Sequence, residues 1–223
     1  NWTKAVRYIS TNQQSIAVGF REALFHGLAP DRGLYFPESI PEFDHAFYQK
    51  EMTYCELAAE MIHPFVSENI SSAELMDICN AAFTFDIPVV CLINDIYLLE
   101  LFHGPTMAFK DFAARFMAHC MEHLLLEEIT ILVDTSGDTG SALDNGFFGL
   151  YVIQVVILYP SGRVSAVQEQ QLTTYGGNII ALEVEGSFDD CQYMVKEAFL
   201  DKYQKLQAGH QKLFPTNQGK HVP

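Results

Sequence analysis

The hydrophobic positions change period near residue 86. Upstream of it they recur at helical spacing. Over Ser15–His26, the residues Ile16, Phe20, Ala23 and Leu24 fall on one face, and Gly27 follows as a C-cap. A turn is predicted at Ala29–Gly33 and a loop between Pro37 and Pro41. A second helix is predicted from Asp44 to Ile62, stopping near Pro64, whose ring restricts the residue before it. A third opens at Ser71, where Ser71 and Glu74 have capping-box spacing, and runs to Phe83.

Downstream, short apolar runs alternate with amphipathic stretches. Strands are predicted at Pro88–Ile93 and Tyr97–Phe102, turning around Asn94-Asp95, and a helix from Lys110 to Leu126. The strand Ile129–Asp134 leads through the loop Thr135–Gly140 into a helix ending near Gly149. Two further pairs follow: strand Ile153–Tyr159 with helix Ser165–Tyr175, and strand Ile179–Val184 with helix Phe188–Leu206. This alternation predicts an α/β fold, a parallel sheet with flanking helices, preceded by a mostly helical N-terminal region. The expected domains are 1–86 and 87–223. No element is predicted in the polar stretch Gln207–Pro223, so the sheet reads as incomplete.

Composition narrows the function. With 223 residues, 49% of them hydrophobic and 18% charged, the chain is globular rather than disordered. Its net charge of −15 supplies no basic stripe for a phosphate backbone, which argues against nucleic acid as a partner. The longest apolar runs, Ile87–Ile93 and Val152–Tyr159, fall short of the roughly 20 residues of a membrane span. No signal-peptide pattern is expected in Asn1–Phe20. The cysteines Cys55, Cys79, Cys91, Cys120 and Cys191 have neither C-x-x-C nor zinc-ligand spacing. They are expected to be buried small hydrophobes in a reducing cytoplasm, and no metal site is expected.

Two segments carry candidate chemistry. Thr135-Ser136-Gly137-Asp138-Thr139-Gly140 joins a strand to a helix, where α/β proteins place ligands. Taken alone it fits two readings, a tight turn with an N-cap or a cradle for an anion. It has no Gly-Lys-Ser/Thr and no G-x-G-x-x-G, so it is neither a P-loop nor a dinucleotide fingerprint. Lys110 opens a predicted helix, where the dipole disfavours its charge. It too has two readings, an ordinary exposed lysine or an amine activated as a nucleophile beside Phe109 and Phe112. Asp111 and Arg115, four apart, have the spacing of an ion pair on one helix face, and Phe109, Phe112 and Phe116 that of a core stripe. His103, and the pair His119 and His123, read as structural.

Together the motifs are more specific. Leu101-Phe102-His103-Gly104-Pro105-Thr106-Met107-Ala108-Phe109-Lys110-Asp111 resembles the pyridoxal-phosphate lysine motif of the threonine synthase family. Ser136–Gly140, Val155–Ser165, Gly176-Gly177-Asn178, Gly186–Cys191 and the segment Gly27–Pro41 resemble further stretches of that family in the same order, over about residues 8–206. The resemblance implies a fold-type II enzyme, tryptophan-synthase-β-like and incomplete, that uses pyridoxal 5′-phosphate to convert O-phospho-L-homoserine and water to L-threonine and phosphate. It implies that Lys110 holds the cofactor and shuttles protons, that Asp138 contacts the cofactor, and that Ser136, Gly137, Thr139 and Gly140 bind the substrate's anionic groups. Residues 1–86 would be the family's N-terminal domain, and 87–223 the first part of its catalytic domain.

Three departures accompany this. Phe214–His221 does not match the family's arginine-bearing run, and the glycine-rich loop for the cofactor phosphate is missing. Asp134 and Asp144 stand where the family usually has small apolar residues, and unpaired buried carboxylates there would be costly. The chain alone is therefore expected to bind cofactor poorly and turn over no substrate. Its uncovered strands are expected to invite self-association. A related phospho-lyase, or a non-catalytic homologue that binds an anion or a partner, are the competing readings.

Overall fold

The computed structural model describes residues 5–200 in full to Ala198, and then, by backbone, 199–200 and Lys212–Pro215. The described residues form two compact units, divided between Phe83 and Thr84.

In the first unit, α1 (Phe20–His26), α2 (His45–Tyr48), α3 (Tyr54–Val66) and α4 (Ser72–Ala82) are joined by a short antiparallel pair, β1 (Tyr8–Ser10) with β2 (Tyr35–Pro37). The predicted helix from Asp44 to Ile62 is two helices. Asp44 caps α2, whereas Thr53 and Glu56 form a capping box that starts α3 afresh. Pro64 does not stop α3. It lies in the last turns, and the helix runs on to Val66. The predicted helix at Ser15 begins only at Phe20, because 16–18 are drawn into extended chain by the bridge between Tyr8 and Val18. The turn at Ala29–Gly33 is built around Asp31. Its Oδ1 accepts from Ser10 Oγ (2.6 Å) and Gly33 N (2.9 Å), and its Oδ2 from Gln14 N (2.8 Å). The capping box expected at α4 is present, Ser71 Oγ donating to Glu74 Oε2 at 2.6 Å. Ser71→Ala should lower the stability of this unit by about 1 kcal/mol in chemical denaturation.

The second unit opens with an antiparallel hairpin, β3 (Val89–Ile93) and β4 (Ile96–Leu99), turning at Asn94-Asp95 with Asn94 at φ 49°. After α5 (Lys110–Leu124) come β5 (Ile129–Asp134), α6 (Asp138–Phe147), β6 (Ile153–Pro160), α7 (Ala166–Thr173), β7 (Ile179–Val184), α8 (Phe188–Leu200) and β8 (Lys212–Pro215). The strands β5 to β8 form one parallel sheet in the order β7-β6-β5-β8. The α/β reading therefore holds. β8 is a correction, since its segment is too polar to announce itself and becomes a strand by pairing with β5. The predicted extension of α8 to Leu206 lies outside the described residues.

The core of this unit is the sheet. Ile131, Val133, Val155 and Ile157 are at most 1% exposed and share one face by strand alternation. On the other face Leu132, Val156 and Leu158 pack with Cys191 and Val195 of α8. The connections through α6 and α7 step from β5 outward to β7, and the one through α8 returns to the opposite side of β5. The chain therefore changes direction between β5 and β8. Ligands of open α/β sheets bind at such a switch point, beyond the carboxyl ends of the strands. The loop after β5 opens there.

Among the described residues no helix is long and apolar enough to cross a membrane. The cysteines are free thiols. Cys79, Cys120 and Cys191 are buried, but Cys91 is exposed on the hairpin, against expectation, because both faces of that hairpin are open.

Candidate functional site

Lys110 is the first residue of α5, and Asp138 the first of α6. The contact between these two helices brings them together: Lys110 Nζ lies 3.8 Å from Asp138 Oδ2, with a third of the lysine side chain exposed. The two helices approach closely at Gly146, where an added Cβ would stand 3.1 Å from the backbone of Ala114. Phe109 is exposed, not part of a core stripe. It precedes the first helical turn, and its ring centroid lies 5.2 Å from Lys110 Nζ.

The segment before Lys110 is anchored from within. Asp111 is fully buried and turns back to accept from Thr106 N (2.9 Å) and Thr106 Oγ1 (2.6 Å). Gly104 is required beside it, because a Cβ there would collide with the Asp111 carboxylate. Arg115 instead donates to Asn145 Oδ1 (3.2 Å) and Thr84 Oγ1 (3.3 Å). The expected pairing of Asp111 with Arg115 does not form, since the loop's amide and hydroxyl claim the carboxylate first. His103 contacts Glu100 (2.6 Å) and His119 contacts Glu122 (3.6 Å), in keeping with structural roles.

The loop after β5 is organised by Thr135, a residue given no role of its own in the sequence reading. Its buried Oγ1 accepts from Gly137 N (3.0 Å) and Gly140 N (2.9 Å). The amides of Gly137 and Gly140 thus shape the turn, while the first-turn amides of α6 at Asp138 and Thr139 remain unsatisfied by the helix, as at any helix start. Ser136 is exposed and Thr139 half-buried. Gln168 of α7 was also not foreseen. Its Nε2 donates to Asp138 Oδ1 (2.7 Å), while its Oε1 accepts from Ser165 N (3.1 Å) in the capping box of α7. The capping spacing of Ser165 and Gln168 was legible. The reach to Asp138 was not.

Gly137 has φ 140°, and a Cβ there would run into the Gln168 side chain. Gly137→Ala should cost the second unit about 2 kcal/mol and release Asp138 from Gln168, read as a lower denaturation midpoint and loss of the Gln168 amide protons' protection.

Two carboxylates lie close to this loop. Burial raises the pKa of Asp134, opposed by a hydrogen bond from its own backbone, by the Lys196 charge and by a hydrogen bond from Gln192, the last two on α8. Asp134 is therefore less costly than expected of an unpaired carboxylate. Asp144 matches that expectation: it is 0% exposed, neither oxygen has a hydrogen bond, and burial pushes its pKa up to about 8. The site as a whole assembles an amine, a carboxylate, two hydroxyls and the positive end of a helix. That donor set suits a small anionic ligand with a carbonyl or phosphate group.

Residues 7–83 match the family profile described as threonine synthase N terminus. The chain is 42% identical over 195 residues to a threonine synthase of Escherichia coli (strain K12), covering 86% of this chain and 46% of that protein. Against a threonine synthase of Schizosaccharomyces pombe it is 38% identical over 216 residues, covering 88% and 42%. Among solved structures, the pyridoxal-phosphate-bound threonine synthase of Brucella melitensis superposes with a TM-score of 0.87 at 38% identity, covering 96% of this chain and 48% of that one. The yeast threonine synthase gives 0.86 at 35% identity, covering 98% and 47%. The chain spans just under half the length of these relatives. In sequence and in fold, the chain is similar to the N-terminal half of threonine synthases.

Proposed function

We propose that this chain carries the lysine and the substrate loop of a pyridoxal-phosphate-dependent threonine synthase, which converts O-phospho-L-homoserine and water to L-threonine and phosphate. The observation that supports it most is the meeting of Lys110 with the start of α6, 3.8 Å from Asp138. The cofactor fits this donor set. Lys110 offers a partly exposed amine for its aldehyde carbon, and Asp138 lies within the same contact. Bound there, pyridoxal phosphate supplies an electron sink for carbanion chemistry at the substrate's Cα.

The chain's own residues do the rest. The amine of Lys110 would take and return protons at the substrate's Cα and Cβ. Ser136 and Thr139 donate from their hydroxyls to the substrate's anionic groups, aided by the amides at the start of α6, while Gly137 and Gly140 let the loop close around them. Gln168 holds Asp138, and Asp111 holds the segment before Lys110, so that the amine and the loop keep their separation. The cytoplasm, where unpaired thiols persist, is the compartment assigned.

A cofactor held only through its aldehyde is loosely oriented, so the 223-residue chain is proposed to need the second half of the fold for turnover. The test fuses the chain to the second half of the E. coli threonine synthase, then adds pyridoxal phosphate and phosphohomoserine. Threonine and phosphate in equal amounts support the reading. Phosphate released with no threonine points to a phospho-lyase instead. Turnover by the unfused chain at the rate of the fusion would sink the claim that the second half is needed.

A further inference from the structure

Asp144 takes no part in the chemistry proposed above, yet it lies on α6, the helix that opens at the substrate loop. It is 0% exposed, and neither carboxyl oxygen has a hydrogen-bond partner among the described residues. Groups that could pair with it from its own helix, or from α5, α7 and β6 packed against it, are engaged elsewhere. Ser141, three residues earlier, turns its hydroxyl to Gly137 O (3.4 Å). On α5, Lys110 faces Asp138, Asp111 is held by Thr106, and Arg115 by Asn145 and Thr84. Further along α5, His119 contacts Glu122 and His123 is exposed. Glu169 of α7 and Tyr159 of β6 interact with one another. Asp144 keeps its proton through burial alone.

A buried carboxyl placed this way feels charge along its helix. Six residues at about 1.5 Å each put Asp144 about 9 Å along the axis from Asp138. An anion seated at the first turn then stands roughly 10 Å from the Asp144 carboxyl. Over that distance, through protein, two like charges repel strongly enough to change an affinity about tenfold. While Asp144 is protonated the repulsion is absent, and the positive end of α6 favours the anion unopposed.

We propose that Asp144 is a proton-linked control on the anion site: the substrate's anionic group is held at the start of α6 while the Asp144 carboxyl keeps its proton, and is repelled once that proton leaves. This rests on the assignment of Ser136–Gly140 to the substrate's anionic groups. Burial pushes the Asp144 pKa up to about 8, so the site is at full strength near pH 6 and weakens as pH rises through 8. By reciprocity a bound anion makes Asp144 hold its proton more firmly, so binding at alkaline pH takes a proton up.

For the test, sulfate, a dianion throughout, is titrated into the 223-residue chain at about pH 6 and pH 9 and fixed ionic strength, and followed through the amide resonances of Asp138 and Thr139. The parent should bind sulfate as tightly as Asp144→Asn does at pH 6, and about tenfold more weakly at pH 9. Calorimetry in two buffers should show about half a proton or more taken up per sulfate by the parent at pH 9, and less by Asp144→Asn. Asp144→Ala should behave as the asparagine protein does, and replaces it if the buried amide unfolds the chain. A parent-to-variant ratio that is the same at both pH values, or proton uptake undiminished in the variants, would overturn the proposal while leaving the anion site standing. Absence of sulfate binding to all three proteins at pH 6 would remove the anion site, and this proposal with it.

Discussion

Lys110→Ala, made in the chain fused to a relative's second half, should abolish the visible absorbance that develops when pyridoxal phosphate bonds to a lysine amine. Threonine formation should fall by about 10³-fold or more. The size of the effect follows from the lack of a substitute. Among the described residues of the second unit the other lysine side chain is Lys196 on α8, whose ammonium donates to Gln192 Oε1 (3.1 Å) and interacts with the Asp134 carboxylate. Arg115 is held by Asn145 and Thr84, and a guanidinium stays protonated in any case. Retention of the absorbance in the alanine protein would remove Lys110 from its assigned place. Loss of absorbance with an unchanged melting temperature would separate lost chemistry from lost fold. Lys110 stands at a helix start with part of its side chain in solvent, so its truncation should cost little stability.

Asp144→Ala should stabilise the second unit, and the gain should depend on pH. The Asp144 carboxyl is pushed from an ordinary 3.8 to about 8 by burial, with no hydrogen bond to either oxygen. The unfolded chain therefore releases this proton near pH 4, and the folded chain keeps it until about pH 8. Between those values the folded state binds the extra proton, so stability is full below pH 4 and falls as pH rises through the window, levelling off above about 8. Each pH unit costs about 1.4 kcal/mol, which gives roughly 4 kcal/mol at pH 7, less about 1 for the space left by the carboxyl. For a chain of this size that is a rise in melting temperature of roughly 10 °C at pH 7, which shrinks as the pH falls and turns into a small loss near pH 4. Asp144→Asn should flatten the pH dependence while keeping the burden of a buried polar group. A melting curve for Asp144→Ala that runs parallel to the parent's at every pH would show that Asp144 is not buried as an isolated carboxyl.

The parts of this protein written in local code were legible from the residues. The alternation from Ile129 to Val184 predicts three strands within a residue or two of where they lie, because β5 and β6 are buried and a buried strand must be apolar. The capping box at Ser71 and Glu74 spans one turn of chain, and so survives any rearrangement beyond it. The loop Thr135–Gly140 and Lys110 stood out for the same reason: glycines between strand and helix, and a cation at the wrong end of a helix, are features of a few consecutive residues.

What stayed hidden depended on partners far along the chain. β1 and β2 are three residues each, too short to show a period, and exist by pairing across 25 positions or more. β8 is a strand because β5 offers it an edge. Asp111 had an equally good local partner in Arg115, and only the fold of Gly104–Phe109 over it decided for Thr106. Gln168 reads in sequence as the far end of a helix cap. Only the packing of α7 beside α6 turns its amide toward Asp138, thirty residues earlier, and so ties the loop to Lys110. Periodicity and capping act within about four residues, and the sequence by itself determined those. Which buried polar group meets which is settled by the whole fold's competition for hydrogen bonds, and here only the tertiary structure decided it.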